Sequence, residues 1–220
     1  NLKYKEMKFF LRTSSILLCL FFFLSFDASA QKKSRKMIKA DQAFSVEQYN
    51  KAAELYQKAY KSAKSRALKS EIIFKQAECY RLSGNIKRAE SYYKRAIKAK
   101  YPDVIVYLRY ADVLRMNQKY SEAKEQYQKY VQLNPADISG EMGLKSCDYA
   151  LNWIDNPTRY KVELMPLINS RFSDFSPSFG NGEYSEVYFT SSRSGGFSNK
   201  IDDRTGETFT DIYSSKLNKK

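Results

Sequence analysis

The 220-residue sequence contains no histidine. That absence removes Ser-His and Cys-His nucleophilic machinery, HExxH metal sites and every zinc centre that needs imidazole. Cysteine is scarce, with three residues in all. Cys19 sits in an apolar run near the N-terminus, and Cys79 and Cys147 fall at helical positions where a small apolar side chain is simply buried. Between Gln31 and Asp137 the only glycine is Gly84 and the only prolines are Pro102 and Pro135. A stretch so poor in breakers and so rich in Ala, Tyr, Lys and Glu favours helix throughout. There is no phosphate-cradling glycine loop, and no cofactor is expected. Asp202, Asp203, Glu207 and Asp211 offer oxygen atoms that could hold calcium, but their spacing fits no calcium loop and reads as a hydrophilic hairpin.

Residues 7–30 carry the first positive signal. Lys8 and Arg12 form a basic start, Ile16 to Phe26 is nearly all apolar, and Ala28-Ser29-Ala30 offers small residues before Gln31. This is the pattern of a secretory signal peptide. The apolar run of about eleven residues falls short of the ~20 needed to cross a bilayer, so the mature chain is expected to have no transmembrane span. Residues 1–6 are expected to precede the true start at Met7. Cys19 follows Leu18 inside the apolar run, which argues against lipid attachment.

The formal charge of +14 is uneven. Residues 1–30 hold +2 of it, and residues 157–220 hold nine basic against eight acidic side chains, which leaves +11 for residues 31–156. In an exported chain such a surplus points away from nucleic acid. It points towards an acidic partner protein, anionic envelope polymers or headgroups, or a merely solvated lysine-rich surface.

Repetition organises the helical part. Tyr49, Ile86 and Tyr120 correspond, at spacings of about 37 and then about 34 residues, and the second of these is a tetratricopeptide period. Ala40, Ala77 and Ala111 share one column, Ala52, Ala89 and Ala123 a second, and Tyr56, Tyr93 and Tyr127 a third. Antiparallel helices approach closely only where side chains are small, and a nearby aromatic fills the space beside the contact. Over about Lys33 to Asp137 the chain resembles the tetratricopeptide repeat family. Gly84 suits the hairpin turn of repeat two, whereas Glu47 and Gln118 at the same place suggest differently shaped turns in repeats one and three. A three-residue insertion around Ser65 is expected to lengthen the first connection. Leu144, Cys147, Leu151 and Ile154 then mark a capping helix that ends at Asn156-Pro157.

The resemblance implies that binding uses the inner face formed by the first helix of each hairpin. That face is expected to carry Asp41, Glu78 and Asp112 in one column, Phe44, Arg81 and Arg115 three residues later, and Phe74 and Leu108 as apolar contacts. Glu78–Arg81 and Asp112–Arg115 could equally be ordinary i,i+3 helix pairs. Reversing the two arginines is expected to leave the fold intact, because exposed charges contribute little to stability. Met37 and Asp41 stand where some relatives place a Lys-Asn clamp for a terminal carboxylate, which disfavours a chaperone-tail receptor.

Beyond Pro157, Gly, Ser and aromatics replace Ala and Lys, and Tyr160–Met165, Val187–Ser191 and Asp211–Ser215 read as strands. SDFSPSF (Ser173–Phe179), VYFTSSR (Val187–Arg193) and TDIYSSK (Thr210–Lys216) resemble the opening blade of a WD40-like β-propeller. The expected architecture is a leader (1–30), an all-α tetratricopeptide solenoid of about three hairpins with a capping helix (31–156), and an incomplete all-β propeller segment (157–220). This order is similar to that of OmpA-like envelope proteins, some of which serve type IX secretion and gliding. The resemblance implies a non-enzymatic scaffold at the periplasmic face of the outer membrane whose partners are other envelope proteins. Peptidoglycan would be reached only through a domain that these residues do not contain. Rival readings are a module for anionic polymer and the non-catalytic part of a propeller-containing peptidase. N-terminal sequencing of the exported protein should start at Gln31; a lipid-modified Cys19 at the mature terminus would overturn the leader assignment.

Overall fold

The computed structural model describes residues 34–180 and 182–216, so the leader reading and Cys19 lie outside the described residues. Seven helices come first: α1 (Arg35–Ser45), α2 (Tyr49–Ser62), α3 (Arg66–Leu82), α4 (Ile86–Lys98), α5 (Ile105–Met116), α6 (Tyr120–Leu133) and α7 (Ser139–Asp155). Each packs mainly on the next, and α7 also reaches α5. Among the described residues no helix is long and apolar enough to cross a membrane.

The repeated columns are where the helices meet. Ala40, Ala77, Ala111, Ala52, Ala89 and Ala123 are all completely buried, as are Tyr56 and Tyr93, with Tyr127 almost so. They join two contiguous cores, one around Met37, Tyr56 and Ile72 and the other around Tyr93, Leu114 and Tyr127. Cys79 belongs to the first and Cys147 to the second, and neither is in a disulfide.

The three hairpin turns share one shape, contrary to the expectation from Glu47 and Gln118. Glu47, Gly84 and Gln118 have φ of 60°, 81° and 61°. In each, the N–H at this position and the next reach back to the last turn of the helix: Glu47 to Phe44 and Gln48 to Ala43, Gly84 to Arg81 and Asn85 to Tyr80, Gln118 to Arg115 and Lys119 to Leu114. These are Schellman endings, whose geometry needs a left-handed residue whatever its identity. Helix–helix packing imposes that backbone on Glu47 and Gln118 at a cost of about 1 kcal/mol each. The insertion near Ser65 also behaves differently from expectation. Only residues 63–65 link α2 to α3, and the added residues lengthen α3 at its N-terminal end. Ser65 caps that end, its Oγ accepting from Leu68 N at 3.1 Å, so the helix begins as soon as a good cap is available.

Helix α7 closes the array. Gly140 and Gly143 bring its backbone against α6, since a Cβ on Gly143 would collide with the Tyr127 ring and one on Gly140 would sit 2.7 Å from Val131 Cγ2. Cys147 is buried and Leu144 packs on the core, but Ile154, expected on the same face, is 61% exposed. Among the described residues, no helix packs beneath the last turn of α7.

Strands β1 (Asp174–Phe179), β2 (Glu186–Ser191) and β3 (Asp211–Lys216) form an antiparallel meander in that order. The expected strand at Tyr160–Met165 is not formed. Residues 157–167 are exposed throughout and pair with no strand among the described residues. The motif residues bind one another: Asp174 accepts from Ser191 Oγ at 2.6 Å and pairs with Arg193 at 2.7 Å, and Ser192 Oγ donates to Glu207 at 2.5 Å. Arg193 lies over the rings of Phe189 and Tyr213, and Phe189 is the sheet's one buried aromatic among the described residues. The Arg193 and Ser191 contacts hold the Asp174 carboxyl well below the usual carboxylate range.

The loop before β3 returns to the first hairpin. The Asp203 carbonyl accepts from Asn50 N at 3.0 Å and Lys51 N at 3.4 Å, capping α2, whose own N-cap Gln48 makes no side-chain bond. Lys51 pairs with the Asp203 carboxylate at 3.0 Å and Arg204 with Glu47 at 2.9 Å.

Two substitutions should shift stability against ordinary propensity. Gln118→Gly, at an exposed left-handed position, should stabilise the protein by about 0.5–1 kcal/mol in urea unfolding. Gly143→Ala would gain about 1 kcal/mol in an open helix, but here it should lose about 1–3 kcal/mol because the Tyr127 ring must move. Opposite signs for either would refute the geometry given for that residue.

Candidate functional site

The face of the first helices is built from four columns. Residues 37, 74 and 108 form one, 38, 75 and 109 the next, then 41, 78 and 112, and finally 44, 81 and 115. The acidic column is tied into the fold. Tyr56 Oη donates to Asp41 Oδ1 at 2.6 Å, Tyr127 Oη to Asp112 Oδ1 at 2.7 Å, and Tyr93 Oη to Glu78 Oε1. A buried phenol needs such a partner. Burial, followed by the contact with the acid, raises the pKa of all three tyrosines far enough to keep them protonated.

The arginines behave differently from each other. Arg81 is bonded to Glu78, Nη2 to Oε2 at 2.6 Å, and its Nε donates to Tyr93 Oη at 3.2 Å. Burial alone would favour the neutral form, but Glu78 overcomes it and the guanidinium stays charged. An Arg81→Glu reversal would therefore set two half-buried carboxylates side by side, so the expectation of an intact fold does not hold there. Arg115 donates to Tyr127 Oη at 3.3 Å and to Ser146 Oγ at 3.5 Å. Asp112 instead pairs with Arg109 at 3.6 Å, and the alternative Asp112–Arg115 pair is not among the described contacts.

The apolar members are largely internal. Leu108 is 6% exposed and lies in the core, so it has little surface to offer. Phe74 is half-buried, stacked on Tyr101 at 4.2 Å and edge-on to Tyr93 at 6.0 Å. Phe44 packs edge-on to Tyr49 at 5.5 Å.

Sequence reasoning missed the column of Ile38, Lys75 and Arg109. Lys75 bridges to Asp41 at 3.3 Å, linking the first helices of two repeats. The same alignment would have found it, because Lys75 and Arg109 are equivalent by the alanine columns. It also missed a pocket of about 380 Å³ at the C-terminal end of this face, lined by Arg115, Tyr120, Ser146, Ala150, Trp153 and Ile154. No repeat period could reveal it, since four of its six lining residues come from the capping helix.

The remaining reactive groups are occupied or inert. Burial, followed by Glu78, pushes the Cys79 thiol up to about 12, and burial raises Cys147 as well. In the acidic loop, Asp202 accepts from Arg204 N, Asp203 pairs with Lys51, Glu207 accepts from Ser192 and Asp211 accepts from Phe197 N. Each carboxylate serves a different protein donor. The face offers charge and aromatic surface rather than an exposed nucleophile.

Residues 39–103 and 74–138 both match the model of the tetratricopeptide repeat family. No curated protein matches the sequence. Among solved structures, the UNC-45 chaperone that binds and folds muscle myosin aligns at 20% identity with a TM-score of 0.50, over 57% of this chain and 14% of its own. The Hsp90 co-chaperone Cns1 of Saccharomyces cerevisiae aligns at 18% identity with a TM-score of 0.50, over 55% of this chain and 39% of its own. This chain thus spans well under half the length of either relative, and the likeness concerns the helical fold. Together with the seven-helix geometry and the buried columns, these matches identify residues 39–138 as tetratricopeptide repeats.

Proposed function

We propose that this chain is a non-enzymatic scaffold that binds proteins through the first-helix face of its repeats. The observation that carries this reading is the contrast within that face. Its acids and Arg81 are consumed by internal bonds, whereas Lys75 and Arg109, although paired with Asp41 and Asp112, keep 30% and 37% of their side-chain surface exposed, and Arg115 lines a pocket at the end of the face. Tetratricopeptide repeats generally mediate protein–protein contacts, which favours the same conclusion. The Hsp90 role of one structural relative does not carry over by its residues: Met37 is completely buried, and Asp41 is held by Tyr56 and Lys75.

The setting we propose is the periplasmic face of the outer membrane, within a peptidoglycan-linked assembly of the type IX secretion and gliding kind. The leader-like residues 7–30 support export. The interlocked SDFSPSF and VYFTSSR residues support the propeller reading. So do the exposed aromatics Phe175, Phe179, Tyr188 and Phe209, which give the small sheet apolar surface that neighbouring blades would cover. The +11 on residues 31–156 favours, as a second reading, an anionic polymer ligand.

The test is capture from bacterial envelope extracts by tagged residues 31–220, compared with the Lys75→Gln/Arg109→Gln variant. Capture of a defined set of envelope proteins should fall at least about fivefold in the variant, while stability changes by no more than about 1 kcal/mol per pair. Equal capture by both forms would overturn the assignment of binding to this face. Retention of glycan or lipid alone, lost between about 50 and about 500 mM salt, would favour the polymer reading instead.

A further inference from the structure

Arg81 and Arg115 are equivalent in successive repeats, yet their charges are matched differently. Glu78 neutralises Arg81 at 2.6 Å. Asp112 is one methylene shorter than Glu78, and its oxygens go to Tyr127 and Arg109. Arg115 is left with a phenol and a serine hydroxyl, and no carboxylate among the described residues pairs with it. A guanidinium carries five N–H donors, so much of the fork has no protein acceptor. The phenol and hydroxyl contacts still hold it in one orientation.

The opposite wall of the same pocket is apolar. Trp153, the sole tryptophan of the sequence, is 68% exposed and stacks on Tyr149 at 6.4 Å, and Ile154 beside it is 61% exposed. An exposed indole beside an unmatched guanidinium combines two of the three side chains most enriched where binding energy concentrates. The charge available is also limited. Lys119 is taken by Glu90 at 2.6 Å and Lys124 by Asp148 at 2.5 Å, so the pocket presents one unmatched cation. One planar fork matches one carboxylate in both charge and geometry, whereas phospho-group recognition ordinarily uses a cluster of arginines.

We propose that this pocket docks a partner protein through an aspartate or glutamate side chain followed directly by a large apolar residue. The carboxylate forks onto Arg115, and the apolar side chain packs on Trp153 and Ile154. Ser146 Oγ supplies a further donor at the rim. This docking rests on the protein-binding reading of the repeats and adds to it the chemistry of the bound segment.

Trp153 reports directly on occupancy, because the intrinsic tryptophan emission of the protein comes from it alone. The probes are N-acetyl-Asp-Phe-amide and N-acetyl-Asn-Phe-amide, titrated into the mature chain while Trp153 emission is followed. The Asp peptide should give a saturable change, with the Asn peptide binding about tenfold more weakly. In Arg115→Gln the two peptides should bind alike and at the weaker level, with circular dichroism verifying that the variant is folded. The comparison of the two peptides on the unaltered protein stands even if that variant does not fold. No saturable change, equal binding of the two peptides, or equal displacement of the Asp peptide by inorganic phosphate would overturn the proposal. Such a failure alongside capture of envelope proteins that depends on Lys75 and Arg109 would remove this pocket and leave the scaffold reading standing. Failure of both would remove the reading itself.

Discussion

In every repeat a tyrosine hydroxyl buried between two helices has to find an acceptor. Tyr56, Tyr93 and Tyr127 fill the space beside the alanine contacts, and each ring carries its polar end into a place that water does not reach. An unsatisfied hydroxyl there would cost about 1–3 kcal/mol. The acid of the facing helix answers it three times, at Asp41, Glu78 and Asp112. Much else follows from that bond. It fixes the pairing of the two helices in a hairpin, orients Arg81 and Arg115 through their contacts with the same hydroxyls, and removes the acids from the surface available to a partner.

The bond also explains what could be read from the sequence. The alanine and tyrosine columns were legible because close packing restricts residue type, and every member is buried as its column requires. The turns at Glu47 and Gln118 were misread because tertiary packing can impose a left-handed backbone on a residue that does not favour it. The insertion near Ser65 was misplaced because register alone does not say whether added residues join a loop or a helix, and the serine cap decided it. The strand expected at Tyr160–Met165 has suitable alternation, but a strand needs a partner that its own sequence cannot supply.

Of the candidate face, the residues were legible and their state was not. A repeating acid looks like a binding stripe until the tyrosine opposite is seen to use it, and Leu108 looks like a contact until its burial is known. The difference between Arg81 and Arg115 comes down to one methylene in the neighbouring acid, together with a capping helix that leaves its last turn uncovered.

The attachment of the sheet has a mechanical consequence. Residues 157–167 form an exposed strap with no regular structure, long enough at full extension to span roughly 35 Å. Asp203 and Arg204, by contrast, grip the start of α2 through its backbone amides and two ion pairs. A pull applied to the sheet would therefore reach the first repeat directly through that grip, and not only α7 through the covalent strap.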